Sequence, residues 1–192
     1  MSFNRQSYVG FAGGFGEVTF GKRLYNARSE TVAEKPSFRD AWRHGQHCIV
    51  PVERIYEPDW RGGSAVPTRI QRKDGLPMGI AGLWASNRKA TGEELLTFTM
   101  LTVNADDHEL FKHFHKPGDE KRMVVILDAK DYDEWLACDV DEARVFFRQW
   151  MGPLDTFEAP LAPRAPPKKA AKKDAPPPVD KIPDDDGEPQ LF

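Results

Sequence analysis

Apolar residues along this chain fall into short blocks separated by polar turns, a pattern typical of β-strands. The strongest block is Leu95–Val103, which is rich in β-forming residues. The other predicted strands are His47–Val52, Met78–Trp84, Arg122–Leu127 and the alternating Thr68–Arg72. Glycines within Met78–Trp84 indicate a close backbone approach or a bulge. The turn at 73–75 predicts that Thr68–Arg72 forms one arm of a hairpin.

Helical segments are predicted between these strands. Ser37 is a suitable cap for a helix ending at Gly45, and Asp106 with Glu109 resembles a capping box. The predicted helices are Phe38–His44, Asp107–Phe114, Ala129–Leu136 and a last one from Asp141 or Glu142 through Trp150. Strands with inserted helices predict an α+β fold with a mixed, curved sheet or partial barrel.

The composition changes sharply near Glu158. Residues 158–192 hold 9 of the 16 prolines, together with lysines interleaved with alanine and a closing Asp184–Asp186 run. Few large apolar side chains remain there to offset the entropy of ordering. We therefore predict a folded domain over 1–157 and a disordered tail over 158–192.

Length and charge restrict the class of protein. The chain has 192 residues, 40% hydrophobic and 30% charged, which is enough for one domain with a core. The net charge is -3, so nucleic-acid binding would require a local basic patch. Two distant cysteines and no apolar leader favour a reducing, cytoplasmic setting, and no stretch approaches the roughly 20 apolar residues of a membrane span.

Asn26 and Arg28 are the first residues with candidate chemistry. An amide holds carbonyl or amine groups through its donor and acceptor, and a guanidinium suits phosphate or carboxylate. The alternative is a plain turn, in which Asn26 bonds its own backbone and Arg28 pairs with Glu30.

Glu57 and His115 could exchange protons. A carboxylate beside aromatic groups can have a raised pKa, and a histidine at the mouth of a polar loop suits proton transfer near neutral pH. A solvated loop glutamate and a surface histidine are the alternatives. The spacing of His108, His113 and His115 fits no strong metal pattern, so we expect neither a metal nor a cofactor.

A nucleic-acid surface could form if the fold gathers the scattered basic and aromatic residues. Trp60, Trp84 and Phe114 are candidate stacking faces for bases. The candidate basic rim consists of Arg28, Lys112, Lys116, Lys121 and Arg122.

Five blocks in order, NARSET, CIVPVERIYEPDW, GIAGLW, FTMLTVNAD and FHKPGDEKRMVVIL, resemble the SOS response-associated peptidase (SRAP) family. The resemblance spans Leu24–Trp135 and implies the family's α+β fold with a positively charged groove. It also implies recognition of abasic sites in single-stranded DNA, a covalent link through the N-terminus, and self-processing peptidase activity. These point to a DNA-damage (SOS) role as a hydrolase, protease or lyase, in the nucleoid-associated cytoplasm.

The resemblance assigns roles residue by residue. Asn26, Glu57 and His115 match the family's catalytic positions, although a KPGDEK insertion separates His115 from Arg122. Arg28 matches the DNA-contacting arginine, and Thr102 matches a polar site residue that we assign to DNA binding. An N-terminal amine would attack the lesion's aldehyde, with Glu57 accepting protons and His115 protonating the oxygen.

The family begins Met-Cys, whereas this chain begins Met1-Ser2. Three explanations are open. The true start lies upstream, or the chain is a divergent member that binds DNA without a durable crosslink, or Ser2 forms a weaker adduct after methionine removal.

The last residues, Gln190, Leu191 and Phe192, resemble peptides that dock on bacterial sliding clamps, and a tethered anchor would recruit the domain to replication forks. The expected partners are single-stranded DNA with abasic sites and this clamp, and we expect a monomer. A non-catalytic single-stranded DNA binder and a general cytosolic peptidase using Glu57 and His115 are the competing classes.

Overall fold

The computed structural model describes residues 8–9, 24–87 and 94–159, which form two β-sheets with short helices between the strands. The strands are β1 (Tyr8–Val9), β2 (Asn26–Arg28), β3 (His47–Val52), β4 (Ile55–Asp59), β5 (Val66–Arg72), β6 (Met78–Asn87), β7 (Leu95–Asn104), β8 (Arg122–Val124), β9 (Ile126–Leu127) and β10 (Leu154–Glu158). The α-helices are α1 (Arg39–Arg43) and α2 (Tyr132–Ala137). Three 3₁₀ helices lie at Phe111–His113, Ala129–Asp131 and Glu142–Phe146.

Strand β7 organises the seven-stranded sheet, whose main order is β1-β7-β6-β3. Along β7, β1 pairs first and β2 pairs next, both in parallel. Strand β6 pairs antiparallel with the first part of β7, and β8 pairs antiparallel with its last part. The predicted long strand is confirmed, and it brings β2 and β8 together near Thr102.

The segment 122–127 was predicted as one strand but changes partner in its middle. Strand β8 pairs with β7, whereas β9 pairs with β6. Between them, the Val125 amide donates to Leu101 O at 2.9 Å and its carbonyl accepts from Ala81 N at 2.9 Å. The segment thus fills the gap where β6 and β7 diverge, and sequence blocks cannot show this because the apolar run Met123–Leu127 continues through both halves.

The smaller sheet has the order β10-β5-β4, all antiparallel. The predicted hairpin at the 73–75 turn is wrong, because β5 pairs with β4 and β10 while β6 belongs to the other sheet. The turn therefore carries the chain between sheets. Local turn chemistry does not specify which strand follows as a partner.

Three of the four predicted helices are shorter than expected, whereas Ala129–Leu136 is helical throughout, as a 3₁₀ helix followed by α2. The segment Asp107–Phe114 is mostly turn with one 3₁₀ helix, and Asp106 does not cap it. Asp106 instead accepts from Lys121 N at 2.8 Å, while His108 Nδ1 accepts from Leu110 N and Phe111 N at 3.0 and 3.1 Å. Helix α1 lies within its predicted range, without a side-chain cap from Ser37.

The core lies between the sheets and the short helices. Its fully buried large side chains include Trp135, Phe111, Phe114, Ile80 and Leu101. The predicted close approach within β6 occurs at Gly82, where a Cβ would lie 2.6 Å from the Thr99 carbonyl oxygen.

The α+β class with a mixed sheet is confirmed, and the described residues form two sheets without closing a barrel. The division into 1–157 and a disordered 158–192 stays a prediction, since residues 160–192 lie outside the described part, and β10 extends to Glu158. No helix in the described part combines the length and apolar character that crossing a membrane requires.

Candidate active site

Glu57 lies in the middle of β4, where alternation turns its carboxylate inward and leaves its neighbour Tyr56 exposed. Its side chain keeps only 26% of its exposure. Burial raises the pKa of Glu57, and the positive charge available on His115 partly opposes that rise. The predicted raised pKa is therefore present, with burial as its main cause.

His115 faces Glu57 because its backbone is tied to the end of β4. The His115 amide donates to Pro58 O at 3.1 Å, and the Trp60 amide donates to His113 O at 3.1 Å. The imidazole Nε2 then lies 3.8 Å from Glu57 Oε2 and 3.1 Å from the Arg122 carbonyl oxygen. This places two proton-exchanging groups within reach of one small molecule.

The backbone of His115 has a φ of 63°, the only positive value at a non-glycine among the described residues. Such a conformation is costly for a side chain larger than hydrogen, and it persists where surrounding contacts enforce it. The flanking bonds to Pro58 and Arg122 supply that enforcement. Strained backbone concentrates at functional sites, which favours a role for this ring.

Asn26, Arg28 and Thr102 meet where β2 runs parallel to β7. The register pairs Asn26 with Met100 and Arg28 with Thr102. Alternation buries Ala27 and exposes the side chains of Asn26 and Arg28 on the same face. One short strand therefore presents the Asn26 amide and the Arg28 guanidinium to solvent.

Arg122 connects these two halves of the site. Its side chain is 12% exposed, and its Nε donates to Thr102 Oγ1 at 3.1 Å while Nη2 donates to the Thr102 carbonyl at 2.7 Å. It also bonds both oxygens of Glu30, at 3.2 and 2.8 Å. Burial acts to raise the pKa of Glu30, but the hydrogen bonds and positive charge of Arg122, with a backbone hydrogen bond, together hold it below its usual value.

Thr102 is buried, and its hydroxyl is used internally. It accepts from Arg122 and donates to Ala27 O at 3.4 Å. The geometry makes it a support for Arg122. Its DNA-binding assignment stays a prediction.

Glu120 joins Arg28 to the same network. Its Oε1 accepts from Arg122 Nη1 at 2.6 Å, and its Oε2 accepts from Arg28 Nη1 at 2.5 Å. Hydrogen bonds from Arg122, then from Arg28, hold the pKa of Glu120 below its usual value. The turn in which Arg28 pairs with Glu30 is therefore wrong, since each arginine takes a partner distant in sequence.

The structure thus brings four of the five predicted residues into one connected chain of contacts. Glu57 reaches His115, whose ring reaches Arg122, and Arg122 reaches both Thr102 and, through Glu120, Arg28. Asn26 lies two residues before Arg28 on the same face, and no hydrogen bond joins its side chain to the others. Phe114 is wrong as a stacking face, because it is fully buried in the core.

Sequence reasoning understated Arg122 and missed Glu120. Arg122 was only a member of the candidate basic rim, although it is the charged residue that begins an otherwise apolar buried strand. Its position at the start of a buried strand was the available signal for a functional or paired charge, because a charged side chain near the core needs a partner. Glu120 lies in a polar loop, and nothing local marks it.

Neither cysteine offers a reactive thiolate. Burial raises the pKa of the Cys48 thiol to about 12, and burial likewise raises the pKa of Cys138. A thiol in that state is a poor nucleophile at neutral pH. The described site therefore supplies acid, base and guanidinium groups, and the attacking group must come from elsewhere in the chain or from the substrate.

Such an arrangement suits chemistry on a carbonyl compound that carries phosphates. The Glu57–His115 pair can move protons at an oxygen or an amine, and the exposed guanidinium of Arg28 can hold a phosphate. No group of residues in the described part has the composition of a metal site.

The sequence is similar to a known protein family and to several named proteins. A family model described as "SOS response associated peptidase (SRAP)" matches residues 11–159. The "Abasic site processing protein YobE" of Bacillus subtilis is 35% identical over 119 residues, covering 60% of this chain and 50% of that protein. The "Abasic site processing protein HMCES" of Gallus gallus is 29% identical over 133 residues, covering 58% of this chain and 37% of that protein. This chain therefore spans half or less of these relatives.

Solved structures show the same fold. A crystal structure of a protein from Bordetella bronchiseptica is 50% identical with a TM-score of 0.68, covering 71% of this chain and 65% of that one. A second, from Bacteroides thetaiotaomicron, is 27% identical with a TM-score of 0.61, covering 79% and 66%.

Proposed function

The chain belongs to the SOS response associated peptidase family, and from this we propose that it processes abasic sites in single-stranded DNA and links to them covalently through its N-terminus. The observation that carries the proposal is the buried Glu57 carboxylate facing His115 at 3.8 Å beside the exposed guanidinium of Arg28. The names of the relatives, which process abasic sites, agree with it.

An abasic site in its open form carries an aldehyde, which an amine attacks. The amine nitrogen forms a bond to the aldehyde carbon while His115 delivers a proton to the oxygen. Glu57 then accepts a proton from the nitrogen, and loss of water leaves the imine. The same acid–base pair would serve self-processing of the N-terminus, the peptidase activity of the proposal.

The charged residues match the phosphates that flank such a lesion. Arg28 is 55% exposed and supplies the planar donor set that phosphate accepts. Asn26 stands on the same face and would orient the amine or the sugar oxygen. Single-stranded DNA suits the site because an unpaired lesion needs little energy to enter a pocket.

The test is capture of a single-stranded oligonucleotide containing one abasic site, followed by a denaturing gel. We expect a heat-stable shifted band, or a band after borohydride reduction if the adduct remains an imine. A tetrahydrofuran analogue, which lacks the aldehyde, is the control and must give no band.

A second candidate is a binder without covalent chemistry. It is favoured because the described site residues include no strong nucleophile, and the Cys48 and Cys138 thiols are both poor ones. Salt-sensitive binding of the abasic strand without any band, even after borohydride, would establish this candidate and end the covalent proposal. Under either proposal we expect a monomer in the nucleoid-associated cytoplasm.

A further inference from the structure

Glu120 bridges two arginines with different surroundings. Arg122 is 12% exposed and is held by Thr102 and Glu30 as well as by Glu120. Arg28 is 55% exposed, and among the described residues its guanidinium donates one hydrogen bond, from Nη1 to Glu120 Oε2 at 2.5 Å. Arg122 is therefore fixed, whereas Arg28 has Glu120 as its one partner within the described part of the chain.

The two carboxylate oxygens of Glu120 bind different arginines. Oε1 faces Arg122 at 2.6 Å and Asn104 Nδ2 at 3.4 Å, and Oε2 faces Arg28. The bond to Arg28 can therefore break while the carboxylate stays bound to Arg122. An anion arriving from solvent could take the place of Oε2 without dismantling the buried network.

The loop that carries Glu120 is itself anchored. Immediately after it, the Lys121 amide donates to Asp106 Oδ1 at 2.8 Å, and Lys121 Nζ donates to the Lys116 carbonyl at 2.7 Å. These bonds hold Glu120 against the arginines before any ligand binds. Its neighbour Asp119 carries the same charge and is exposed, and no side-chain bond joins it to either arginine.

Charge balance gives this contact a consequence. Arg28 and Arg122 carry two positive charges, and Glu30 and Glu120 carry two negative charges, so the four side chains are together neutral. An exposed arginine–carboxylate pair contributes little stability, so exchange of the carboxylate for another anion has a low cost. A phosphate offers Arg28 the same oxygen geometry.

We propose that Glu120 is an internal counter-ion that occupies the phosphate-binding position of Arg28 in the free protein and is displaced there by a backbone phosphate of single-stranded DNA. This inference rests on the proposed function and adds a regulatory residue to the same site. Glu120 thereby lowers affinity for any strand, so that capture depends more on the lesion itself than on Arg28.

The experiment compares Glu120→Gln with the matched Asp119→Asn, which removes one charge from the same loop. Binding of an undamaged oligothymidylate is measured by fluorescence anisotropy. We expect Glu120→Gln to bind about three- to tenfold more tightly than the wild type, and Asp119→Asn to change affinity by less than about twofold. Equal affinities for the two variants, or weaker binding by Glu120→Gln, would overturn the proposal.

A double variant, Arg28→Gln with Glu120→Gln, shows whether the gain acts through Arg28. We expect the gain to disappear, and its persistence would assign the effect to another residue and overturn the proposal. Thermal unfolding of each variant confirms that the fold is kept, since glutamine matches the shape of Glu120.

A second probe separates this inference from the proposed function. If no variant binds the oligonucleotide, the proposed function fails, and binding of inorganic triphosphate is then measured by calorimetry. Tighter triphosphate binding by Glu120→Gln than by Asp119→Asn would support the counter-ion role by itself. No difference between them would reject it.

Discussion

At the residue scale, the site depends on a carboxylate and an imidazole held in costly states. Glu57 is buried enough that its pKa rises, and His115 adopts a φ of 63°. Neither state favours folding by itself, and His115 is held in place by its hydrogen bonds to Pro58 and Arg122. The raised pKa gives the site a carboxyl group, that of Glu57, that exchanges protons nearer neutral pH.

The raised pKa of Glu57 predicts how stability depends on pH. The pKa of Glu57 in the folded state lies above the ordinary glutamate value of 4.5, so the folded state keeps a proton that the unfolded state loses first. The protonated Glu57 contributes its full stabilisation below about pH 4.5, and this contribution is lost as pH rises through the pKa of the folded state. A glutamine at position 57 does not titrate, so Glu57→Gln does not lose stability in this way.

We therefore expect Glu57→Gln to gain stability relative to the wild type as pH rises above 4.5. Urea unfolding at several pH values from 4 to 8 measures the difference. Glu109→Gln, at an exposed glutamate, controls for general loss of a carboxylate. A difference that moves the other way, in favour of the wild type, would contradict the assigned burial of Glu57.

The substitution His115→Asn tests the role of the imidazole ring separately from the role of the backbone conformation at this position. Asparagine tolerates a positive φ better than most residues, so the loop should keep its shape while proton transfer is lost. We expect abasic-site capture to slow by about 10²–10⁴-fold with little change in Tm, as measured by gel time courses. His113→Asn is the control, and an equal effect there would argue against a specific role for His115.

At the element scale, the close contact of β6 with β7 sets the frame on which β2 and β8 meet. Gly82 permits that contact, since a Cβ there would lie 2.6 Å from the Thr99 carbonyl and 3.1 Å from Cys48 Sγ. The obstacle is backbone, which cannot rotate away. The whole register around Thr102 therefore depends on a position without a side chain.

Gly82→Ala should destabilise the fold by about 1–3 kcal/mol, because the added methyl group has no room. Thermal unfolding should show a Tm lower by several degrees. Gly62→Ala is the matched control, since nothing lies within 4 Å of its ideal Cβ. A similar Tm for both variants would mean that β6 and β7 can separate without cost.

At the scale of the whole molecule, the site exists only where the two sheets come together. Glu57 belongs to the smaller sheet, while Arg28 and Thr102 belong to the larger. The segment before β8 joins them through the bridge between Asp59 and Phe114 and the ring of His115. Partial unfolding of either sheet would therefore separate the acid–base pair from the guanidinium.

The C-terminal residues 190–192, which lie outside the described residues, give a prediction for the full chain. Deleting Gln190–Phe192 should abolish binding to a bacterial sliding clamp and leave abasic-site capture unchanged. Surface plasmon resonance on immobilised clamp measures the first, and the gel assay measures the second. Deletion of Asp184–Asp186 controls for tail length, and unchanged clamp binding without residues 190–192 would remove the docking hypothesis.

The sequence by itself determined the most apolar strands and the chemical inventory, but not β2 and β4, which carry Asn26, Arg28 and Glu57. His47–Val52 was predicted with its observed bounds, and β6 and β7 were predicted because runs of apolar β-forming residues indicate a strand locally. The ordered blocks also indicated the family. These signals are local, so one chain suffices to read them.

Only the tertiary structure decided which groups meet. Glu57 pairs with His115, which lies 58 positions later in the sequence. Arg28 pairs with Glu120, 92 positions later, rather than with nearby Glu30. The failed hairpin at 73–75 and the lost helix at 107–114 have the same origin. Strand partners and buried charges are chosen by packing and by hydrogen bonds between distant segments, and no local pattern encodes that choice.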